Sequence, residues 1–157
     1  MNPKDTKKQP ATIDTVAKTC IAARLRLLNR VITKIYDDAL RPVGVKISQC
    51  NILVMTAKMG TALPTLVCEM LQLDLSTLSR NVELMRTKGW LEVVPSEDAR
   101  THPFRLTDTG RRLVEKVIPA WEKAQAQART LLGEDFVSLL GPAVRNASSR
   151  AGSEEGG

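Results

Sequence analysis

The tightest constraint on this chain is a change of hydrophobic period at Gly89. Before it, the stretch Leu73–Gly89 (LDLSTLSRNVELMRTKG) places Leu78, Val82 and Met85 on one face at about 100° per residue. Asp74 is a good N-cap, because its carboxylate can accept from the free backbone N–H groups of the next turn. Arg86, Lys88 and Gly89 make the basic last turn and glycine stop of a helix end. The opposite face carries Ser76, Arg80 and Glu83, with Thr77 and Leu84 on its flank. After Gly89 the pattern turns extended: Trp90–Val94 reads as a strand that stops at Pro95. His102–Thr107 alternates, with Phe104 and Leu106 sharing a face. The polar run Ser96–Thr101 between them is the tip of a hairpin.

What precedes the stretch fixes its meaning. Pro64 suits the first turn of a short helix carrying Leu66, Val67, Met70 and Leu71. Only Gln72 and Leu73 separate that helix from Asp74. Two short helices joined by a three- to four-residue turn form a helix-turn-helix, and a hairpin directly after it makes a winged helix. The helix upstream is expected to be capped by Ser48 and to run from Gln49 to Met59, with Gly60 as its stop. Alone, Leu73–Gly89 reads first as an ordinary amphipathic surface helix. In this setting it suits a DNA major groove, where arginine can bond guanine bidentately and hydroxyls serve bases or phosphates.

The flanks are helical. Ile21, Leu25, Leu28, Ile32, Ile35 and Ala39 recur at threes and fours, and Cys20, Leu27 and Val31 widen the apolar face. One helix from Ile13 to Leu40 is expected, ended by Arg41-Pro42-Val43-Gly44. Its face is too wide for a small core, so packing against a partner subunit competes with an intramolecular bundle. Thr107 or Asp108 caps a later helix through Trp121 to Leu132, with Pro119 expected to bend it. Gly133 ends it, and a last helix from Glu134 to about Ala147 is expected to be interrupted at Gly141-Pro142. The fold class is therefore mainly α with a small β hairpin, in one domain. Residues 1–12 form a flexible arm, 13–40 and 119–147 dimerisation helices, 48–112 the winged helix-turn-helix, and 148–157 a disordered tail.

Composition excludes more than it selects. The net charge of +6 and pI near 9.5 permit a polyanionic partner. However, residues 1–46 hold ten Lys and Arg against four Asp and Glu, so the surplus lies outside the candidate recognition helix. No run approaches the roughly 18 apolar residues of a membrane span. The start, MNPKDTKKQP, lacks the apolar region of a secretory signal. Cys20, Cys50 and Cys68 have no metal-ligand spacing and His102 is the single histidine, so no metal and no cofactor are expected. Neither a Gly-x-Ser-x-Gly turn nor a phosphate-cradling glycine loop is present, which argues against an enzyme. A cytoplasmic protein with free thiols is expected.

Three ordered stretches carry a resemblance: Tyr36–Gln49 (YDDALRPVGVKISQ), Leu73–Glu92 (LDLSTLSRNVELMRTKGWLE) and Glu97–Gly110 (EDARTHPFRLTDTG). From about Cys20 to Leu132 the chain resembles the MarR-type winged-helix transcriptional regulators. The resemblance implies a homodimer with interleaved terminal helices that reads pseudo-palindromic double-stranded DNA. It also implies a repressor released by a small organic effector, aromatic or carboxylate-like. Ser76, Thr77 and Arg80 match the recognition-helix positions, and Arg100 matches the wing arginine, with Asp98 holding its guanidinium. A guanidinium at a hairpin tip suits a narrow A·T-rich minor groove.

The effector pocket implied by the resemblance has Leu28, Ile32, Met55 and Leu113 as apolar walls and Arg24 or Arg26 as anchors. An ordinary packed core is the alternative for those residues. Leu75 departs from the family pattern where a basic residue is frequent, and Gln72 stands in a turn where glycine is usual. Leu66 and Met70 are apolar at positions usually polar. Cys20 resembles the peroxide-sensing cysteine of one branch, which makes a thiol-based oxidant-sensing repressor the second reading. A winged helix used for protein contact or general DNA compaction is the third.

Overall fold

The computed structural model describes residues 11–98 and 100–154. It forms two compact units, one ending at Lys34 and the other beginning at Ile35. The first holds α1 (Ala11–Thr19) and most of α2 (Ile21–Leu40). Instead of one helix from Ile13, two helices meet at Cys20. The hydrogen-bond ladder nevertheless crosses the joint: Cys20 N–H donates to the Val16 carbonyl (3.0 Å) and Arg24 N–H to the Cys20 carbonyl (3.1 Å). Within this unit Ile21 (72% exposed), Leu25, Leu27 and Val31 are open to solvent. The flexible arm expected for residues 1–12 lies mostly outside the described residues, and its last two residues belong to α1.

The second unit carries α3 (Ile47–Met59), β1 (Thr61–Ala62), α4 (Pro64–Leu71), α5 (Leu75–Thr87), β2 (Leu91–Val93), β3 (Phe104–Leu106), α6 (Asp108–Leu132) and α7 (Glu134–Glu154). Between α2 and α3, Arg41–Val43 form a single 3-10 turn closed by Gly44 at φ 75°, as the Pro-Val-Gly sequence dictates. α3 starts two residues earlier than Ser48 implied. Its cap is Lys46, whose N–H donates to Gln49 Oε1 (3.1 Å), while Asp37 Oδ1 accepts from Ile47 N–H (2.8 Å). A carboxylate supplied by α2 thus satisfies a free donor that local sequence did not identify.

The wing is not a lone hairpin. β3 is the central strand of a three-stranded antiparallel sheet in the order β1-β3-β2. The register pairs Thr61 with Arg105 and Ala62 with Phe104 on one side, and Leu91 with Leu106, Glu92 with Arg105 and Val93 with Phe104 on the other. Phe104 and Leu106 are both buried, as alternation requires. The core they join is aliphatic: Leu40, Ile52, Leu53, Val67, Leu78, Met85 and Leu91. Helices supply one stripe each and the sheet one face, the economical way for a chain poor in aromatics to fill a core.

α6 is seated on the wing by Thr107. Its hydroxyl donates to the Gly89 carbonyl (2.6 Å) and accepts from Gly110 N–H (3.0 Å). A Cβ at Gly110 would stand 2.1 Å from the Trp90 carbonyl oxygen, so only glycine permits this approach. α6 runs unbroken through Pro119, and α7 runs unbroken through Pro142 to Glu154. The expected interruption at Gly141-Pro142 is therefore absent. Each proline removes one donor, but the carbonyls left free belong to exposed Glu115 and Ser138, where water can take the bond. Helix also replaces the expected tail over residues 148–154; residues 155–157 lie outside the described residues.

Candidate nucleic-acid interface

The turn that aims α5 is built on Gln72. It takes the left-handed conformation (φ 51°, ψ 49°) and is the single non-glycine with positive φ among the described residues. An L side chain pays roughly 1–2 kcal/mol there. Compensation is local: Gln72 Nε2 donates to the Glu69 carbonyl (2.7 Å) and Leu73 N–H to the Cys68 carbonyl (2.9 Å). Those bonds close the end of α4 and let Asp74 begin the next helix three residues later.

Asp74 caps α5 more completely than its position alone implied. Its carboxylate accepts from Thr77 N–H (2.8 Å), from Thr77 Oγ1 (2.7 Å) and from Ser76 Oγ. The Ser76 and Thr77 hydroxyl bonds, with the Thr77 amide, hold its carboxyl well below the usual carboxylate range. Ser76 and Thr77 are therefore not free donors. Their protons point at Asp74, and their lone pairs remain to accept. Leu78 and Met85 are buried beneath, Val82 is half-buried, and the outward side presents Ser76, Ser79 and Arg80 beside Leu75 around a shallow open hollow. Arg80 has no ion pair among the described residues, whereas Arg86 is held bidentately by Glu83 (2.9 and 2.8 Å).

The wing tip is ordered by short hydrogen bonds. Ser96 and Thr101 hydroxyls meet at 2.8 Å, and Thr101 N–H donates to the Asp98 carbonyl (3.0 Å). The expectation that Asp98 holds the Arg100 guanidinium is corrected. Asp98 Oδ1 accepts from the backbone N–H of Arg100 (2.9 Å), and no ion pair joins the two side chains among the described residues. Asp98 thus fixes where the Arg100 backbone sits and leaves the guanidinium free to turn. Arg100 and His102 line a groove of about 350 Å³ with Val82, Arg86 and Phe104, so wing and recognition helix share one concave surface. Across the sheet, Arg105 pairs with Glu92 (2.6 Å).

Within the second unit, the two expected effector residues take different places. Met55 lines an apolar cavity of about 350 Å³ with Cys50, Val54, Leu71, Val117 and Trp121. Leu113 packs in the core cluster instead. Arg24, Leu28 and Ile32 belong to the other compact unit, and the Arg24 guanidinium donates to the Lys18 carbonyl. The spacing of Val117 and Trp121, four apart on a helix, was the missed sign of a second apolar wall. Burial pushes the Cys50 thiol up, and burial together with the Asp74 charge does so for Cys68. Neither environment favours a reactive thiolate. Cys20 is half-exposed at the joint of α1 and α2.

A helix-turn-helix whose second helix is followed by a wing on a three-stranded sheet defines the winged-helix class. Residues 43–100 match the model of the MarR family. Among solved structures, MOSR of M. tuberculosis in complex with DNA is 27% identical at TM-score 0.75, covering 86% of this chain and 98% of that one. A cysteine-to-serine variant of E. coli MarR with operator DNA is 19% identical at TM-score 0.75, covering 85% and 96%. BpsR of Bordetella bronchiseptica, whose DNA binding is regulated by 6-hydroxynicotinic acid, is 19% identical at TM-score 0.72, covering 82% and 93%. No curated protein matches by sequence. The fold is therefore that of the winged-helix class, and the match to the MarR family lies in its helix-turn-helix and wing, residues 43–100. No helix among the described residues is long and apolar enough to cross a membrane.

Proposed function

We propose that the protein is a homodimeric, sequence-specific repressor that binds pseudo-palindromic double-stranded DNA and is released by a small organic effector. The observation that carries DNA binding is α5 itself. One of its faces is buried, and the other exposes Ser76, Ser79 and Arg80, which has no ion pair among the described residues, beside the wing that carries Arg100. Arg80 reads a base edge or adjacent phosphate in the major groove, with Ser76 and Thr77 accepting from base amines. Arg100 enters the minor groove, where width and A·T content are read, and Asp98 sets its backbone. The dimer is supported by the apolar side chains left open on α2 (Ile21, Leu25, Leu27) and on α7 (Leu139, Val144), which a second copy would cover.

The effector reading rests on the apolar cavity around Met55. Its walls Val117 and Trp121 lie on α6, the helix seated on the wing, and the regulated DNA binding of the similar BpsR supports it. The cavity's apolar lining suits an aromatic ring. Selection of bound duplexes from a random pool at stated salt tests the proposal. The expected result is an inverted repeat with half-site centres about 10–10.5 base pairs apart, or a multiple of that. Only direct repeats, or no consensus, would refute it. Sedimentation is expected to give about twice the 17.3 kDa chain mass; a folded monomer at micromolar concentration refutes the dimer.

A further inference from the structure

We propose that Leu75 reads the 5-methyl group of a thymine in each half-site, an inference that rests on the DNA-binding reading above. Leu75 is the first residue of α5 and is 57% exposed. The N-terminal residues of a recognition helix are the ones that reach base edges. Around it, Ser76, Ser79 and Arg80 line the same hollow; each of these three ends in a polar group, and Leu75 alone has a wholly apolar side chain. The core does not need it, since Leu78 and Met85 fill the buried face of the helix and Leu73 the turn before it.

A leucine side chain can neither donate to a phosphate nor accept from a base amine. In the major groove the thymine methyl is the one apolar mark that a base pair displays. Contact with that methyl buries apolar surface on both partners. Contact with cytosine would instead press the leucine against an amine left without its water. Leu75 therefore selects thymine over cytosine at the position it faces, while its polar neighbours make the hydrogen-bonded contacts. Removing one buried methyl corresponds to about fourfold in affinity, from roughly 0.8 kcal/mol for each buried carbon group.

The test is a uracil scan of the operator recovered by pool selection. Each thymine is replaced singly by deoxyuridine, which keeps every hydrogen-bonding group and lacks only the methyl. Affinities at fixed salt are measured for wild type and for Leu75→Ala, with circular dichroism to compare their folds. One thymine per half-site is expected to lose about fourfold on conversion to uracil with wild type. Leu75→Ala is expected to bind the two duplexes equally at that position. A consensus in which no thymine is uracil-sensitive overturns the inference and leaves DNA binding standing. Equal sensitivity in Leu75→Ala overturns it too, since another side chain then reads the methyl. If Leu75→Ala fails to fold, Leu75→Gln, similar in length and a good helix former, makes the same comparison. A pool that yields no preferred duplex refutes both readings together.

Discussion

Replacing Gly110 by alanine is expected to lower stability by about 2 kcal/mol, although alanine is the better helix former. The new Cβ would lie 2.1 Å from the Trp90 carbonyl oxygen, 3.0 Å from its carbon and 3.3 Å from Leu106 Cδ2. The first distance is 1.3 Å short of the 3.4 Å at which ordinary contact begins. The obstacle is backbone and cannot rotate away, because the same carbonyl accepts from Thr107 N–H (3.1 Å). Overpacking ordinarily costs about 1–3 kcal/mol, and an immovable neighbour places this site at the upper end. Helix propensity returns up to about 1 kcal/mol, which leaves the net loss. For a chain of this size that is a fall in Tm of roughly 4–8 °C.

Gly141→Ala is the control with opposite sign. Within α7 its Cβ meets only Arg145 Nη1 at 3.4 Å, so the propensity gain of about 0.5–1 kcal/mol survives. Thermal and urea unfolding of both variants, at one protein concentration, measures the pair. If Gly110→Ala melts at or above wild type, α6 is not seated on the Trp90 carbonyl and the argument fails.

Further outcomes follow from other sites. Gln72→Gly is expected to stabilise by about 0.5–1 kcal/mol, the relief of a left-handed residue less one side-chain bond; a urea midpoint below wild type would contradict it. Asp74 has a lowered folded-state pKa, so its contribution is complete above the ordinary carboxylate range and is lost as pH falls through the folded value. Asp74→Asn is expected to flatten that acid limb of stability, read by unfolding between pH 2 and 5. Arg80→Ala is expected to cost roughly 1–3 kcal/mol of DNA affinity and relax one or two positions per half-site. Arg100→Ala, and more mildly Asp98→Ala, is expected to weaken binding at A·T-rich flanks and lower the salt slope; loss of the central consensus instead would reverse the assignments of helix and wing. Cys20→Ser and wild type are expected to respond alike to peroxide in an operator-release assay. Selective resistance of the variant would favour the oxidant-sensing reading.

The parts legible in the sequence are those fixed by neighbours. The bounds of α5 follow from Asp74 and the basic turn before Gly89, and the strands from the switch of period. Gln72 was singled out by the resemblance alone, because it stands in a turn where glycine is usual. What escaped was set across space. Two residues of β1 are too few to show a period, and their strand exists because β3 offers an open edge. Asp37 caps α3 from ten residues away, which displaced the start expected at Ser48. Asp74 was recognised as a cap, but its hold on both neighbouring hydroxyls appears only in three dimensions. Of the expected effector residues in the second unit, Met55 lines a cavity while Leu113 shares its helical phase with the core.

Pairing Ala62 with Phe104 closes a loop that contains all of α4, α5 and β2. Such a closure restricts the chain inside it by an entropy that grows only slowly with loop length. Opening the recognition helix while the tie holds gains less freedom than the number of its residues implies. The reading head should therefore open as a single cooperative unit, with amides of α5 and β3 exchanging with deuterium at similar rates. Cutting the tie, by proline at Thr61, would let α5 exchange first.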